Sequence, residues 1–551
     1  MLYPLYYRAL NAVPLAEFRG ESRRFLSSLS DPVNTQTRLL LDLLSKNRDC
    51  AFGRQHGFTS IRTRREYQER VPIVSYDDLA PWIERIRAGE SGVLTSEPVL
   101  AFEKSSGSAS AAKYIPYTKT LRQQFQSALA PWITNMHHAS PRIARGPAYW
   151  MVTPLSRDGE TTAGGIPVGF ESDTEYFGSL QQAVLRRTMA VPPELAGVSD
   201  LDECLYLTLR FLLQARSLAF ISVWSPTLLL ILLDRLEEYG ERLVRDLKSG
   251  KATVDAPLPI EISKCLVRDA LQAERLRAML RRGRIEANIL WPELALISCW
   301  TSAGSTAAKS AIEDRFPGVP IQGKGLLATE GIVTIPLAEY ASPVAAVTSH
   351  FLEFLDDSGR CHLVPELEAG REYSVLITTG GGLWRYRLGD RVRVSGFAER
   401  TPCLEFLGKE DDVSDLCGEK LNSVFVAKTL DALPVCRNAE FVMLAPVNAN
   451  PPHYTLFIES ANIYSDELEA RQIDEMLKAN PHYAYCPQLG QLNEVRIYRI
   501  RHAAQETYVK QSVLDGHRAG NIKTAALNKR TDWDRVFAGY YIESGAAEVC
   551  A

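Results

Sequence analysis

The spacing of hydrophobic and polar residues changes along the chain. Residues 15–90 carry frequent charges and have the pattern of helices. From residue 147 onward, short apolar runs alternate with amphipathic segments. The runs read AYWMVTPL, LAFISVW, LALISCW and GIVTIPL. Strands that alternate with helices are typical of an α/β protein.

A second pattern begins near residue 349. Consecutive strands follow one another to residue 408, with turn signals at residues 357–359 and 380–382, which predicts an antiparallel or mixed β region. The charged connector GKEDDVSDLCGEKLN, residues 408–422, then precedes further strands and one amphipathic helix. We therefore predict a large α/β domain over residues 1–422 and a smaller α+β domain over residues 423–551.

The most apolar segment, residues 217–236, reads SLAFISVWSPTLLLILLDRL. Ser222, Ser225 and Pro226 interrupt it, whereas a membrane span needs about 20 uninterrupted apolar residues. A buried strand followed by a helix, with Ser225 as its cap and Pro226 at its first position, explains the segment better. The first residues have no basic region and include Pro4 and Pro14, so we predict no signal peptide.

Composition narrows the possible functions. Apolar residues make up 46% of the chain and the net charge is −4, which gives no electrostatic reason to expect binding to nucleic acid or to an anionic membrane. The ten cysteines contain no C-x-x-C pair and stand without a histidine cluster. From this cysteine usage we expect neither a disulfide framework nor a zinc site. The usage fits a reducing cytoplasm.

The segment KSSGSASAAKYIPYT, residues 104–118, is a candidate phosphate loop. Small residues let a backbone approach a ligand closely, and the hydroxyls, the backbone N–H groups and Lys113 suit phosphate oxygens. The alternative is a polar surface turn.

Two further segments carry candidate carboxylates. LLATEG places Thr329 and Glu330 before a glycine, and a carboxylate at such a loop–strand junction suits Mg²⁺. YRLGDRVRV, residues 386–394, places Asp390 after a turn at Gly389, where a carboxylate accepts two sugar hydroxyls. In each case the alternative is an ordinary turn residue.

The segment GVPIQGK, residues 318–324, fits most of a nucleotide P-loop. Gly325 follows it, where the P-loop requires a serine or threonine, and the sequence indicates no strand leading into it. GKGLLA, from Gly323, is a degenerate dinucleotide fingerprint without a preceding strand. We discount both motifs.

The serine loop, the Thr-Glu-Gly motif and the Tyr-Arg-x-Gly-Asp motif, in this order, resemble the adenylate-forming enzymes. In detail they resemble the Gretchen Hagen 3 acyl-acid amido synthetases of plants and bacteria. The segment CWTSAGS, residues 299–305, is similar to the small-residue loop that lies along adenine in that family. The resemblance extends from about residue 35 to the C-terminal tail. It implies a large N-terminal adenylate-forming domain, with sheets flanked by helices and a β-barrel-like region, and a small mobile C-terminal domain.

The resemblance assigns a role to each matching position. The residues implied to hold the ATP phosphates are Ser105, Ser106, Gly107, Ser108, Ser110 and Lys113. Those implied to lie near adenine and the α-phosphate are Ala303, Gly304, Ala328, Thr329 and Gly331. Glu330 would bind Mg²⁺, and Asp390 would hold the ribose. Asp411 or Asp412 would be the hinge, and Lys523, in GNIKTAAL, would reach the α-phosphate. The chain departs from the plant pattern at Leu326, Leu327 and Asn521, where the family usually has an aromatic residue, a glycine and a glutamine.

The resemblance implies a two-step reaction. ATP and Mg²⁺ activate a carboxylic acid as an acyl-adenylate, and an amine, such as that of an amino acid, then displaces AMP. Two alternatives stay open at this point: the same activation with another acceptor such as coenzyme A, and a non-catalytic nucleotide-binding scaffold. We expect a cytoplasmic protein with small-molecule partners, and a monomer is compatible with this expectation.

Overall fold

The computed structural model describes residues 2–105, 113–151, 160–169, 179–198, 200–283, 285–301, 306–410, 413–417, 419–460, 466–517 and 519–542. They form two compact units. The first contains the residues up to Trp300 together with Ile312–Phe406, and the second contains Thr301–Ala311 and the residues from Leu407 onward.

Helices dominate the first part of the chain, as the charge and apolar pattern predicts. Their bounds are α1 Leu2–Ser28, α2 Pro32–Lys46, α3 Ala51–Gln55, α4 Arg64–Arg70, α5 Tyr76–Arg87, α6 Lys119–Ala139, α7 Ser179–Thr188, α8 Leu201–Gln214, α9 Pro226–Glu238, α10 Gly240–Ser249, α11 Ile260–Ser263, α12 Ala270–Arg282, α13 Ala287–Leu290 and α14 Thr306–Arg315. Capping residues determine where several of these helices begin. At α5, the Ser75 hydroxyl accepts from the Asp78 N–H while the Asp78 carboxylate accepts from the Ser75 N–H.

A hairpin and a parallel sheet lie among these helices. The hairpin consists of β1 Ala101–Ser105 and β2 Lys113–Tyr117, and the sheet consists of β3 Ala148–Trp150, β4 Phe220–Ser222, β5 Leu296–Cys299 and β6 Ile321–Gly323. The four strands are parallel in the order β3-β4-β5-β6. The predicted strand before α9 is confirmed. Ser225 precedes that helix with Pro226 at its first turn, but the Ser225 hydroxyl makes no capping hydrogen bond.

The fourth parallel strand is not the one that the apolar runs indicated. GIVTIPL contributes instead to the antiparallel sheet, and β6 is drawn from the discounted segment GVPIQGK. The expectation that no strand precedes GKGLLA is therefore wrong, because β6 leads into Lys324. No P-loop results, because the chain after Lys324 turns back on itself as a hairpin: the Val333 N–H donates to the Leu326 carbonyl at 2.9 Å.

The predicted consecutive strands form a seven-stranded sheet in the order β10-β9-β11-β12-β13-β8-β7. Their bounds are β7 Thr334–Ile335, β8 Val344–Ala345, β9 Phe351–Leu355, β10 Cys361–Leu363, β11 Glu372–Thr378, β12 Tyr386–Ala398 and β13 Thr401–Lys409. Each pairing of β9 with β10 and β11, of β11 with β12 and of β8 with β7 and β13 is antiparallel. The apolar residues of this sheet share one buried core with α2–α6.

The second unit has its own sheets and core. Its strands are β14 Val413–Ser414, β15 Leu421–Asn422, β16 Phe441–Val447, β17 His453–Glu459, β18 Asn493–Ile500 and β19 Gly539–Tyr541; its helices are α15 Ser423–Ala432, α16 Pro434–Arg437, α17 Asp466–Leu477, α18 Pro481–Gln488, α19 Ala504–Leu514 and α20 Trp533–Val536. Strands β17 and β18 are parallel, while β16 and β19 flank them in the antiparallel direction. Leu444, Leu456 and Ile473 are among the residues of its core.

The fold class predicted from the sequence is confirmed: α/β layers make up the larger part of the chain, and a smaller α+β unit follows. Among the described helices, none is both long enough and apolar enough to cross a lipid bilayer.

Candidate active site

The candidate phosphate loop is carried by the β1–β2 hairpin. Ser105 and Lys113 face each other as the last pair of the two strands, so Lys113 lies at the base of the loop. Ser106, Gly107, Ser108 and Ser110 lie outside the described residues, as does the side chain of Ser105. The hairpin is attached to α5, where the Tyr76 hydroxyl accepts from the Tyr114 N–H at 2.7 Å and the Tyr76 ring centroid lies 5.7 Å from Lys113 Nζ.

Thr329 and Glu330 occupy the tip of a two-residue turn. The Ala328 N–H donates to the Gly331 carbonyl at 3.0 Å, and the Gly331 N–H donates back to the Ala328 carbonyl at 3.2 Å. The residues on either side continue this pairing, since Leu327 and Ile332 form an antiparallel bridge. Both side chains of the Thr-Glu pair are thereby placed at the end of a short rigid hairpin.

Tyr117 connects this turn to the phosphate-loop hairpin. Its hydroxyl donates to the Thr329 carbonyl at 2.6 Å. Lys113 and Tyr117 lie on the same face of β2 because side chains alternate along a strand, and four residues span about 13 Å. Sequence reasoning missed this role of Tyr117, and a tyrosine in an apolar strand gives no local signal for it.

Gly331 packs tightly against the antiparallel sheet. A Cβ atom there would lie 2.6 Å from Ile377 Cδ1 and 2.8 Å from His350 Nε2. Burial lowers the pKa of His350 to about 3, so its ring is neutral near pH 7 and packs as a flat partner of this glycine. The glycine of the Thr-Glu-Gly motif thus serves close packing.

We expect Gly331→Ala to lower the free energy of unfolding by about 1–3 kcal/mol, because an added methyl group would overlap two buried side chains. Urea denaturation of the full chain measures this change. Gly396→Ala is the matched control, since a Cβ at Gly396 would meet no atom within 4 Å. Equal stability of the two variants would contradict the packing role.

The Glu330 carboxylate is a buried group suited to a cation. The residue is 6% exposed, and among the described residues none forms a hydrogen bond or an ion pair with its carboxylate. Its oxygens are not among the fully shielded polar atoms that lack a partner, so they stay accessible to a ligand. Magnesium prefers carboxylate oxygens together with phosphate oxygens, so the donor and its burial fit this ion.

Asp390 lies in a β-bulge of β12 rather than in a turn between strands, which corrects the prediction for Gly389. Ser374 pairs with Arg391 and Leu376 with Arg387, so the three residues from Leu388 to Asp390 stand opposite Val375 alone. Gly389 has φ 77°, a conformation that favours glycine. Bulges redirect side chains, and here the bulge places Asp390, which is 2% exposed.

The structure brings the described parts of the three motifs of the first unit together. Gly331 touches Ile377, and Ile377 pairs with Tyr386, the first residue of the Asp390 motif. The end of β2 is linked to the same strand pair, since the Thr118 hydroxyl donates to the Gly380 carbonyl at 2.9 Å. Positions that are hundreds of residues apart in sequence thus surround one region.

Five further predicted site residues remain. Ala303, Gly304, Asp411 and Asp412 lie outside the described residues. Lys523 belongs to the second unit. Its carbonyl accepts from the Tyr508 hydroxyl at 3.2 Å, and the neighbouring Thr524 hydroxyl is hydrogen bonded to Gln505. Lys523 is thus part of a loop anchored to α19.

Comparison with known proteins gives a family match over most of the chain. The GH3 family N-terminal domain matches residues 21–321, the GH3 family central domain matches residues 344–409, and the GH3 family C-terminal domain matches residues 422–532. Among curated proteins, an indole-3-acetic acid-amido synthetase, GH3.4 of Arabidopsis thaliana, is 24% identical over 84% of this chain and 84% of its own length. Another, GH3.10 of Arabidopsis thaliana, is 26% identical over 80% of this chain and 81% of its own.

Solved structures share the fold. The AtGH3.15 acyl acid amido synthetase in complex with 2,4-DB superimposes with a TM-score of 0.82 at 18% identity, covering 95% of this chain and 97% of that one. A 2-hydroxyisobutyryl-CoA ligase in complex with 2-HIB-AMP gives a TM-score of 0.50 at 11% identity, covering 91% of this chain and 90% of that one.

Proposed function

The chain belongs to the GH3 family, and from this premise we propose that it is an ATP-dependent acyl-acid amido synthetase. It forms an amide bond between a small-molecule carboxylic acid and an amine, such as that of an amino acid, and releases AMP and pyrophosphate. The observation that carries the proposal is the buried Glu330, which lies at the tip of a hairpin that Tyr117 holds through the Thr329 carbonyl.

The first half-reaction makes the acyl-adenylate. A carboxylate oxygen attacks the α-phosphorus of ATP, and the bond from that phosphorus to the bridging oxygen of pyrophosphate breaks. The serine loop from Ser105 to Ser110 and Lys113 surround the departing phosphates with N–H, hydroxyl and ammonium donors. Ala303, Gly304, Ala328, Thr329 and Gly331 are assigned to the adenine and α-phosphate side of the same site.

Magnesium fits the site because Glu330 supplies a buried carboxylate without another partner among the described residues. When bound, the ion neutralises charge on phosphate oxygens. The contribution of the chain itself is to fix the backbone that carries this carboxylate, through the Ala328–Gly331 turn and the hydrogen bond from Tyr117 to the Thr329 carbonyl. Such preorganised electrostatics supply much of the rate enhancement in reactions of this class.

The second half-reaction transfers the acyl group. The amine nitrogen attacks the carbonyl carbon of the mixed anhydride, the bond from that carbon to the phosphate oxygen breaks, AMP leaves and the amine loses a proton. We assign residues 423–551 to a small domain that turns about Asp411–Asp412 between the two steps and presents Lys523 in the first of them. Hinges of this kind use a few loop residues.

The proposal is tested by measuring pyrophosphate release from ATP, Mg²⁺ and a panel of carboxylic acids. Amino acids and coenzyme A are then offered separately. Amide formation with at least one amino acid supports the proposal, and thioester formation instead assigns the chain to the alternative acceptor. An absence of acid-dependent pyrophosphate release across the panel overturns it in favour of a nucleotide-binding scaffold.

We expect Asp390→Ala to raise the KM for ATP about 10-fold or more while kcat changes little. The ribose hydroxyls make the same contacts in the ground state and the transition state, so their loss affects binding rather than the chemical step. Initial rates at varied ATP concentration separate the two effects. Asp357→Ala serves as the control, since Asp357 is exposed in the turn between β9 and β10 and pairs with Arg391. A collapse of kcat at constant KM would refute the ribose role.

A further inference from the structure

The carboxyl edge of the parallel sheet carries a row of polar and aromatic side chains on one face. Trp150, Ser222, Ser298 and Gln322 are register partners across the four strands. The ladder continues beyond the strands: the Trp300 N–H donates to the Trp224 carbonyl at 3.0 Å, and the Lys324 N–H donates to the Cys299 carbonyl at 3.0 Å.

Because side chains two residues apart point to the same face, Trp224, Trp300 and Lys324 extend this row outward. Helix α6 covers the same face, since Met136 packs with Phe220 and Leu296, which lie two residues before Ser222 and Ser298. Ligands of α/β proteins bind at the carboxyl ends of parallel strands.

Lys324 places a buried ammonium group in this row. The residue is 6% exposed. Its Nζ donates to the Ser222 hydroxyl at 2.9 Å and lies 4.5 Å from the ring centroid of Trp224 and 4.9 Å from that of Trp132. The Trp132 indole is itself fixed, because its Nε1–H donates to Gln322 Oε1 at 2.9 Å. Two aromatic rings and a hydroxyl thus orient the ammonium.

A second observation at the same edge points to a ligand. Ser298 lies between Ser222 and Gln322 in the row and is fully buried, yet its hydroxyl has no hydrogen-bond partner among the described residues. Buried polar groups are nearly always hydrogen bonded, so this hydroxyl is available to a polar group bound at the same edge. The ring of Trp300 lies beside that of Trp224, with centroids 5.6 Å apart, so flat apolar surface adjoins these polar groups.

The row is connected directly to the candidate active site. Lys324 and Glu330 are six residues apart in sequence, so their Cα atoms lie at most about 20 Å from each other. Between these two residues, Gly325 packs closely against Thr334, since a Cβ at Gly325 would lie 2.1 Å from the Thr334 carbonyl oxygen. The Leu326 N–H donates to the Thr334 hydroxyl at 2.8 Å, which holds the hairpin that leads to Glu330.

We propose that Lys324, with Trp132, Trp224 and Ser298, recognises the far end of the acid substrate and selects an aromatic acid that carries a second carboxylate. The indole surfaces suit a flat ring, and the positive charge and N–H donors of the Lys324 ammonium suit a carboxylate. The proposal rests on the proposed function and deepens it, because it states which class of acid is activated.

The test compares matched acids that differ in one group: the three benzenedicarboxylates against the three methylbenzoates, in wild type and in Lys324→Met. Pyrophosphate release gives kcat/KM for each acid. In the wild-type protein we expect at least one diacid to exceed its methyl counterpart about 10-fold or more, and we expect Lys324→Met to reduce that ratio about 10-fold or more. Lys248→Met is the matched control on the surface, where Lys248 pairs with Glu274.

Tryptophan fluorescence without ATP provides a second readout, since the proposed site is walled by indoles. Diacid-dependent quenching in the wild type that is weakened in Lys324→Met supports the proposal, and Lys324→Gln repeats the comparison if the methionine variant does not fold. Equal quenching by both acids of a pair, or a ratio of kcat/KM that Lys324→Met leaves unchanged, overturns it. Absence of pyrophosphate release with every acid refutes the proposed function alone, and the fluorescence comparison then decides on the Lys324 site.

Discussion

Glu330→Gln is expected to lower the rate of acyl-adenylate formation by roughly 10²-fold or more while the protein keeps its fold. The substitution preserves the shape of a side chain that is 6% exposed and removes its charge. Loss of a metal ligand, or of one preorganised electrostatic contact, lowers a rate by about this factor. Acid-dependent exchange of pyrophosphate into ATP measures the half-reaction directly.

Two further observations make this result interpretable. Glu339→Gln is the control, because Glu339 is exposed nine residues along the chain and accepts from Asn135 Nδ2. The metal dependence adds a signature that a structural role would not produce: the variant should need a higher Mg²⁺ concentration for half-maximal rate. Near-normal exchange in Glu330→Gln would remove this residue from the site.

The local parts of the site were predictable because short motifs reflect local needs. Gly389 stands where the backbone takes a positive φ, and any sequence that redirects a strand at that point favours glycine. Its setting was not predictable in the same way. The motif reads as a turn, but pairing of the flanking residues with β11 keeps the strand continuous and turns the irregularity into a bulge.

Contacts between distant segments were beyond sequence reasoning. The hydrogen bond from Tyr117 to Thr329 joins positions 212 residues apart, and its hydroxyl looks like any other in an apolar strand. Strand β6 was missed for a related reason. Its three residues, Ile321–Gly323, include one apolar side chain, so the parallel neighbour β5 rather than an apolar run determines that it is a strand. The buried position of Lys324 follows from that placement.

Lys523→Ala is expected to separate the two half-reactions. An ammonium directed at the α-phosphate stabilises negative charge while pyrophosphate departs, so its loss should slow adenylation by roughly 10²-fold or more. Attack of the amine on a finished acyl-adenylate builds charge on the acyl oxygen and releases AMP, and it should be far less affected. Isotope exchange between pyrophosphate and ATP follows the first step, and single-turnover reaction of supplied acyl-adenylate with an amino acid follows the second.

The structure offers a close control for this variant. Lys510 lies on α19, the helix that anchors the Lys523 loop through Tyr508, and it forms a surface pair with Glu506 at 2.7 Å. Lys510→Ala should leave both half-reactions near the wild-type rate. The loop is anchored through backbone and neighbouring groups, since the Lys523 carbonyl accepts from Tyr508 and Thr524 bonds to Gln505, and the melting temperatures of both variants check that the fold is kept. Equal losses in both steps would instead assign Lys523 to nucleotide binding in general, and a fully active variant would remove it from the reaction.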